Sequence, residues 1–279
     1  MHPLCRAMCP VLLGALWYVR APMPRTLYGL PYSPWTQRAL FALDHHAIAY
    51  RFVEHVPMLG ELRLRRLTRH RRPTVPVLVS GTDAIMGSSD IARLADREGS
   101  GSKLFPAGTE STIASWEARG DQILSVARTR VMDNLRRSPK ALAEALPPFV
   151  PGPLRPMLRI FAKQAIDYLA KKHEVTGDPE TRLRKEVFPV FDALDEALAS
   201  AVGRESRTTI LDELTFADVV MASAVSGFFP TQREPGTTKM GDATLACWTC
   251  DELVTKYPRV YAWRDRVYEA HRFPSRRAA

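Results

Sequence analysis

Two serine positions stand where a helix should begin: Ser33 immediately precedes Pro34, and Ser88 adjoins Ser89. Serine favours the residue that caps a helix, and proline favours the first helical position. A helix start presents N–H groups without partners and the positive end of the helix dipole, so it can hold an anion. At Ser33 a hydroxyl could donate to a thiolate, keeping a bound thiol ionised and nucleophilic. At Ser88 and Ser89, hydroxyls and amides together could take a carboxylate. The plainer reading of all three is a helix cap. Tyr28 offers a further hydroxyl within strand-like sequence, with an aromatic on a sheet face as its plain reading.

Other chemistry-bearing groups carry less. Four cysteines lie in two pairs near the chain ends, Cys5 with Cys9 and Cys247 with Cys250. That is no disulfide framework, and a reducing, cytoplasmic setting is expected. Cys247-Trp248-Thr249-Cys250 has redox or metal spacing, but no second pair completes a zinc site. No metal is expected, and both thiols read as partly buried. Arg63, Arg65, Arg66, Arg69, His70, Arg71 and Arg72 form a basic run that could meet phosphates or an anionic membrane face. Its plain reading is a solvated helix face. A formal charge of +9, from 39 basic and 30 acidic residues, permits acidic partners without identifying one.

The elements that must position these residues fall into two groups. At 279 residues, 46% hydrophobic and 25% charged, the chain suits a globular protein of about two domains. The 22 prolines predict short elements broken by loops. Residues 1–24 are set apart as a leader or tail. Their apolar run at 10–19 falls short of the roughly 20 residues a membrane span needs. It lacks a good cleavage site as a signal peptide, and Met23 is an alternative start. No integral membrane segment is expected.

Over 25–105 strand and helix signals alternate: strands at Arg25–Leu30, Ala49–Glu54, Val75–Val79 and Ala84–Met86, a helix from Pro34, an amphipathic stretch at Leu59–Leu67, and a helix to Arg97 capped by Ser88 or Ser89. Over 106–279 the pattern is helical. Ile113, Trp116, Gly120, Ile123, Ala127, Val131 and Leu135 mark one long amphipathic helix. Helices are expected over Met157–Lys172 and Pro179–Val202, the second capped by Asp178 and bent at Pro189. Thr215 and Asp218 should form a reciprocal cap with a Leu214–Val219 staple, and Pro258 should open a last helix.

In order and spacing, Tyr32-Ser33-Pro34-Trp35, Thr74-Val75-Pro76-Val77-Leu78, Ser88-Ser89-Asp90-Ile91 and Thr215-Phe216-Ala217-Asp218 resemble the glutathione S-transferase superfamily. The resemblance implies an α/β thioredoxin-like βαβ-ββα domain followed by an all-α domain. It implies glutathione as cosubstrate, a cis Pro76, and pairing of the Val75 backbone with the cysteinyl part of glutathione. Ser88, with its neighbouring Ser89, would take the γ-glutamyl carboxylate. Ser33 would be the catalytic residue, Tyr28 the runner-up.

A small hydrophobic electrophile would lie between the domains. Trp116, Arg119 and Gln122 are possible lining residues, with core packing the alternative for Trp116. A homodimer and no nucleic-acid partner are implied. Two departures matter. Gly87 stands where the family has an acidic residue, for which Asp90 could substitute; this motivates the alternative of a non-catalytic scaffold or binding protein. Ser33 and Thr36 stand where cysteines would be needed for disulfide exchange. Arg71 and Arg72 would form a basic rim beside the glutathione site.

Overall fold

The structure is a computed structural model that describes residues 25–146, 150–173, 176–199, 208–231 and 240–272. The expected leader at 1–24, with Cys5 and Cys9, lies outside the described residues. The N-terminal half is a thioredoxin-like domain. Its elements are β1 (Arg25–Gly29), α1 (Pro34–His45), β2 (Tyr50–Glu54), α2 (Glu61–Thr68), β3 (Val77–Ser80), β4 (Asp83–Met86) and α3 (Ser88–Glu98).

The four strands form one mixed sheet in the order β2-β1-β3-β4. β1 runs parallel to β2 and antiparallel to β3, and β3 is antiparallel to β4. The register puts Phe52, Leu27, Leu78 and Ile85 side by side on one face. That face packs with α1 and α3, whose Ala39, Leu43, Ile91, Ala92 and Ala95 are fully buried. The opposite face, carrying Tyr28 and Val77, is covered by α2.

Several strand ends lie one or two residues from the sequence expectation, and two of the shifts have a local cause. β1 stops at Gly29 because the Leu30 N–H turns aside to the Thr36 hydroxyl, at 3.2 Å. β3 starts at Val77 instead of Val75. Pro76 has no N–H for a ladder, and its carbonyl instead accepts from the Gly87 N–H at 3.0 Å. The Val75–Pro76 peptide bond is cis.

The C-terminal part is helical. It contains α4 (Glu110–Arg137), α5 (Pro139–Glu144), a single 3-10 turn (Gly152–Leu154), α6 (Arg155–Lys172), α7 (Pro179–Arg182), α8 (Phe188–Leu198), α9 (Phe216–Ser226), α10 (Asp242–Trp248), α11 (Asp251–Lys256) and α12 (Pro258–Val267). The long-helix periodicity is realised in α4, where Ile113, Trp116, Ile123, Ala127 and Val131 are buried. Gly120 is the crossing point. A Cβ there would sit 2.5 Å from Val220 Cγ1 of α9 and 3.1 Å from Arg38 Nη2 of α1, so only glycine lets the three helices close together.

The helix expected over Pro179–Val202 is split. A wide π-type turn at Leu183–Val187 separates α7 from α8, and α8 ends at Leu198, while 200–207 lie outside the described residues. The wide turn falls directly before Pro189, which cannot donate to the turn before it. Asp178 caps α7 by accepting from the Thr181 N–H, at 2.7 Å. Thr215 and Asp218 form their reciprocal cap at α9.

The two halves are bolted together at their shared core. The Phe216 N–H of α9 donates to Leu104 O at 2.8 Å, and the Leu104 N–H donates to Asp96 Oδ1 of α3 at 2.6 Å. Leu104 itself is fully buried. The connection into α4 is therefore pinned to α3 on one side and α9 on the other.

Candidate active site

Three segments meet at one end of the sheet: the exit of β1, the entry to β3 and the exit of β4. Tyr28 pairs with Val77 and Val77 with Met86, which fixes these ends side by side. Each segment carries residues expected to bind.

At the first, Ser33 occupies the cap position of α1, with Pro34 at the first helical position. Its N–H donates to Leu30 O at 3.0 Å and its carbonyl accepts from the Gln37 N–H at 2.9 Å, so the backbone is held. Its side chain makes no capping bond and is half-buried. The hydroxyl is thus at a dipole's positive end and uncommitted to the helix it opens.

At the second, Val75 lies outside the ladder that starts at Val77, so the sheet does not claim its N–H and C=O. Buried Pro76 ties this segment to the third through the Gly87 N–H.

At the third, the structure moves the expected cap by one residue. Gly87, at φ 101°, holds the cap position, and Ser88 and Ser89 are the first two residues of α3. The chain needs a left-handed residue there, and a Cβ at Gly87 would point into open space. As a result both serines offer their N–H groups at the helix tip. Ser88 is buried, and Ser89 Oγ lies 3.3 Å from Glu117 Oε2 of α4.

Glu117 is a residue the sequence did not single out. It supplies a carboxylate at the α3 tip although position 87 is glycine. Asp90, the substitute considered from sequence, is exposed in the first turn of α3. Glu117 opens a stripe along α4. One turn on, Asp121 Oδ1 accepts from Trp35 Nε1 at 3.1 Å and from Arg38 Nη1 at 2.6 Å. Arg38 is buried and also donates from Nε to Ser223 Oγ at 2.9 Å.

Two further turns along α4, the Arg128 guanidinium lies 4.3 Å over the Trp35 ring, where burial holds its pKa down to about 10. His173, at the end of α6, is pushed down to about 4 by burial, with Arg128 and Lys172 adding to the effect. It is neutral at pH 7. Glu117, Asp121 and Arg128 thus follow one stripe of α4 that faces Ser89 and Trp35 of the N-terminal domain.

Of the lining residues suggested from sequence, Trp116 takes its alternative role. Trp116 is core, with the Arg119 guanidinium 4.7 Å over its ring. The apolar stripe of α4 was legible in sequence, but polar positions beside it do not announce whether they face water or another domain.

Tyr28 is half-buried on the α2 face of the sheet, with the Arg63 guanidinium 6.0 Å over its ring. Arg71 and Arg72 are exposed on the loop between α2 and β3. Cys247 and Cys250 are buried, and burial pushes the Cys247 thiol up. Among the described residues no group of three or more His, Cys, Asp or Glu side chains could hold a metal, and no helix is long and apolar enough to cross a membrane.

Residues 27–103 match the family model of the glutathione S-transferase N-terminal domain. No curated protein matches the sequence. Among solved structures, the chain is similar to a glutathione S-transferase from Methylobacterium radiotolerans in complex with glutathione sulfonate. That match has a TM-score of 0.55 and 15% identity, over 91% of this chain and 94% of the other. Glutathione transferase GSTFuA3 from Phanerochaete chrysosporium gives 0.53 and 16%, over 88% and 98%. Glutaredoxin 2 from Salmonella typhimurium, in complex with glutathione, gives 0.50 and 15%, over 86% and 98%. Residues 27–103 are thus similar to the glutathione S-transferase N-terminal domain, and the fold of the chain as a whole is that of the solved glutathione transferases it resembles.

Proposed function

We propose that the protein is a glutathione transferase: it binds glutathione on the N-terminal domain and transfers its thiolate to a hydrophobic electrophile held against α4. The carrying observation is that Ser33, Val75 and the Ser88–Ser89 helix tip share one end of the sheet, each with polar groups uncommitted to the fold. In this reading the Ser88 and Ser89 amides take the γ-glutamyl carboxylate, where a helix start favours an anion. The Val75 backbone pairs with the cysteinyl unit, and the Ser33 hydroxyl donates to the sulfur. The thiolate sulfur then bonds to the electrophilic carbon, and the leaving group departs with its electron pair. The direct test is conjugation of glutathione to a chlorodinitrobenzene by the purified full chain, followed by its absorbance. No turnover with any of a panel of electrophiles would overturn the enzymatic reading.

Glu117 completes the site by facing the γ-glutamyl ammonium in place of the acidic residue that Gly87 does not supply. Glu117→Gln is expected to raise the KM for glutathione about fivefold to tenfold, the loss of one charge-assisted hydrogen bond in part-exposed surroundings, with kcat little changed. The same contact favours a second reading, a non-catalytic binding protein, because Glu117 engages Ser89 and places negative charge against the tip. Calorimetry separates the two. Binding in the natural protein that weakens in Glu117→Gln supports the ammonium role. No binding in the natural protein, with binding gained in Glu117→Gln, supports the second reading.

A further inference from the structure

The large apolar side chains left exposed among the described residues are concentrated in two short segments. Val56, Met58, Leu59 and Leu62 lie in and before α2, and Leu154, Met157, Ile160 and Phe161 lie in and before α6; only Tyr32 falls outside them. α6 leads from its own exposed segment to the start of α2. Lys172 Nζ at the end of α6 pairs with Glu61 Oε1 at the start of α2, at 2.7 Å, and burial, with the same carboxylate adding, pushes the Tyr168 hydroxyl up.

On α6 the residues Met157, Phe161, Tyr168 and Lys172 recur at helical spacing and so share one face. On the opposite face Ala162 and Ile166 are buried with Leu142 and Leu146 of the neighbouring α5 region, and Ala170 is buried as well. α6 is thus apolar on two opposite sides, and one side is uncovered. A helix apolar all round is ordinarily buried all round.

The charge around this surface is of one sign. Arg63, Arg65, Arg66, Arg69, Arg71 and Arg72 of the α2 region, and Lys171 of α6, are all exposed. None of these seven has an ion pair among the described residues, whereas the nearby acids Glu61 and Asp167 are engaged by Lys172 and Arg136.

We propose that this α2–α6 surface docks on an anionic lipid bilayer, with Leu59, Leu62, Met157, Ile160 and Phe161 entering the headgroup layer and the seven cations meeting lipid phosphates and carboxylates. The charge is complementary to such a surface. Exposures from 58% to 82% at Leu59, Leu62, Met157, Ile160 and Phe161 mean that these side chains project outward instead of lining a pocket, which suits insertion into a fluid interface. A second copy of the chain would set cation against cation across a twofold interface. The reading does not depend on the glutathione site.

The test is flotation of the full chain with vesicles. Phosphatidylcholine vesicles with about one part in three of phosphatidylserine should carry the protein, and neutral vesicles should not. Raising salt from about 0.05 to 0.5 M should release it. The double substitution Ile160→Ser with Phe161→Ser should cut the bound fraction about tenfold at an unchanged melting temperature, since both side chains are more than 60% exposed. Absence of flotation, equal flotation on neutral vesicles, or undiminished binding of the double variant would overturn the proposal. So would tighter retention on poly-glutamate that the same double variant loses, which would assign the surface to an acidic protein. A dimer dissolved by the double variant, without flotation, would assign it to self-association.

Discussion

Ser33→Ala is expected to lower kcat/KM for glutathione conjugation about 10-fold to 100-fold, the value of one hydrogen bond to a charged group at about 1.5–3 kcal/mol. The expectation follows from the cap geometry. Ser33 Oγ makes no capping bond to α1, so its removal takes no cap from the helix, while a thiolate at that tip loses a side-chain donor. The bound thiol's pKa, read from thiolate absorbance against pH, should rise by roughly 1–2 units, since each unit is about 1.4 kcal/mol. Activity of the variant should recover in part at higher pH. The hydroxyl-retaining Ser33→Thr should keep more of the rate than Ser33→Ala. An unchanged pH profile in Ser33→Ala would remove Ser33 from the mechanism. Tyr28→Phe is the companion measurement, and with the Tyr28 ring beneath Arg63 on the α2 face it should leave the profile in place.

The largest effect on stability is expected at Asp218, in the cap of α9. Its carboxylate is fully buried at the start of α9. Oδ1 accepts from the Ile210 N–H at 2.7 Å, and Oδ2 accepts from the Thr215 N–H at 2.9 Å and from Thr215 Oγ1 at 3.1 Å. Asp218→Ala strands two buried amides at about 1–3 kcal/mol each and deletes the reciprocal cap. A loss of about 3–5 kcal/mol follows, lowering the melting temperature by about 10 °C in a protein of this size.

Burial pushes the Asp218 carboxyl up to about 6, against the pull of its three donors toward lower values. The folded state therefore binds this proton more tightly than the unfolded state. The contribution favours folding below the ordinary carboxylate range and is lost as pH rises to about 6. The deficit of Asp218→Ala should accordingly be larger at pH 5 than at pH 7, by roughly 1 kcal/mol. Calorimetric melting at both pH values measures it. A deficit that grows toward pH 7 would show the carboxylate to be stabilised by its donors beyond the effect of burial.

Much of the fold was present in the linear pattern because its signals are local. The apolar steps of Ile113 to Val131 define α4, Asp178 and Thr215–Asp218 define two helix starts, and Pro34 and Pro258 sit at first helical positions. Such signals act within one turn of chain, so sequence carries them intact. The short α10 and α11 were not legible, because neither has a run of periodic residues long enough to stand out, and they form against α4, α5 and α12.

For the site, residue types and order placed Ser33, Val75 and the two serines as candidates. Three matters waited for tertiary structure. The cap of α3 falls on Gly87 because only the folded β4–α3 junction demands a positive φ there. Glu117, Asp121 and Arg128 face the N-terminal domain because Gly120 lets α4 settle against α1 and α9, a contact no local pattern encodes. The apolar stripe of α6 is open because α5 covers one side of the helix only. Local hydrogen bonding and periodicity are written along the chain; which polar face meets which partner is decided by packing between elements distant in sequence.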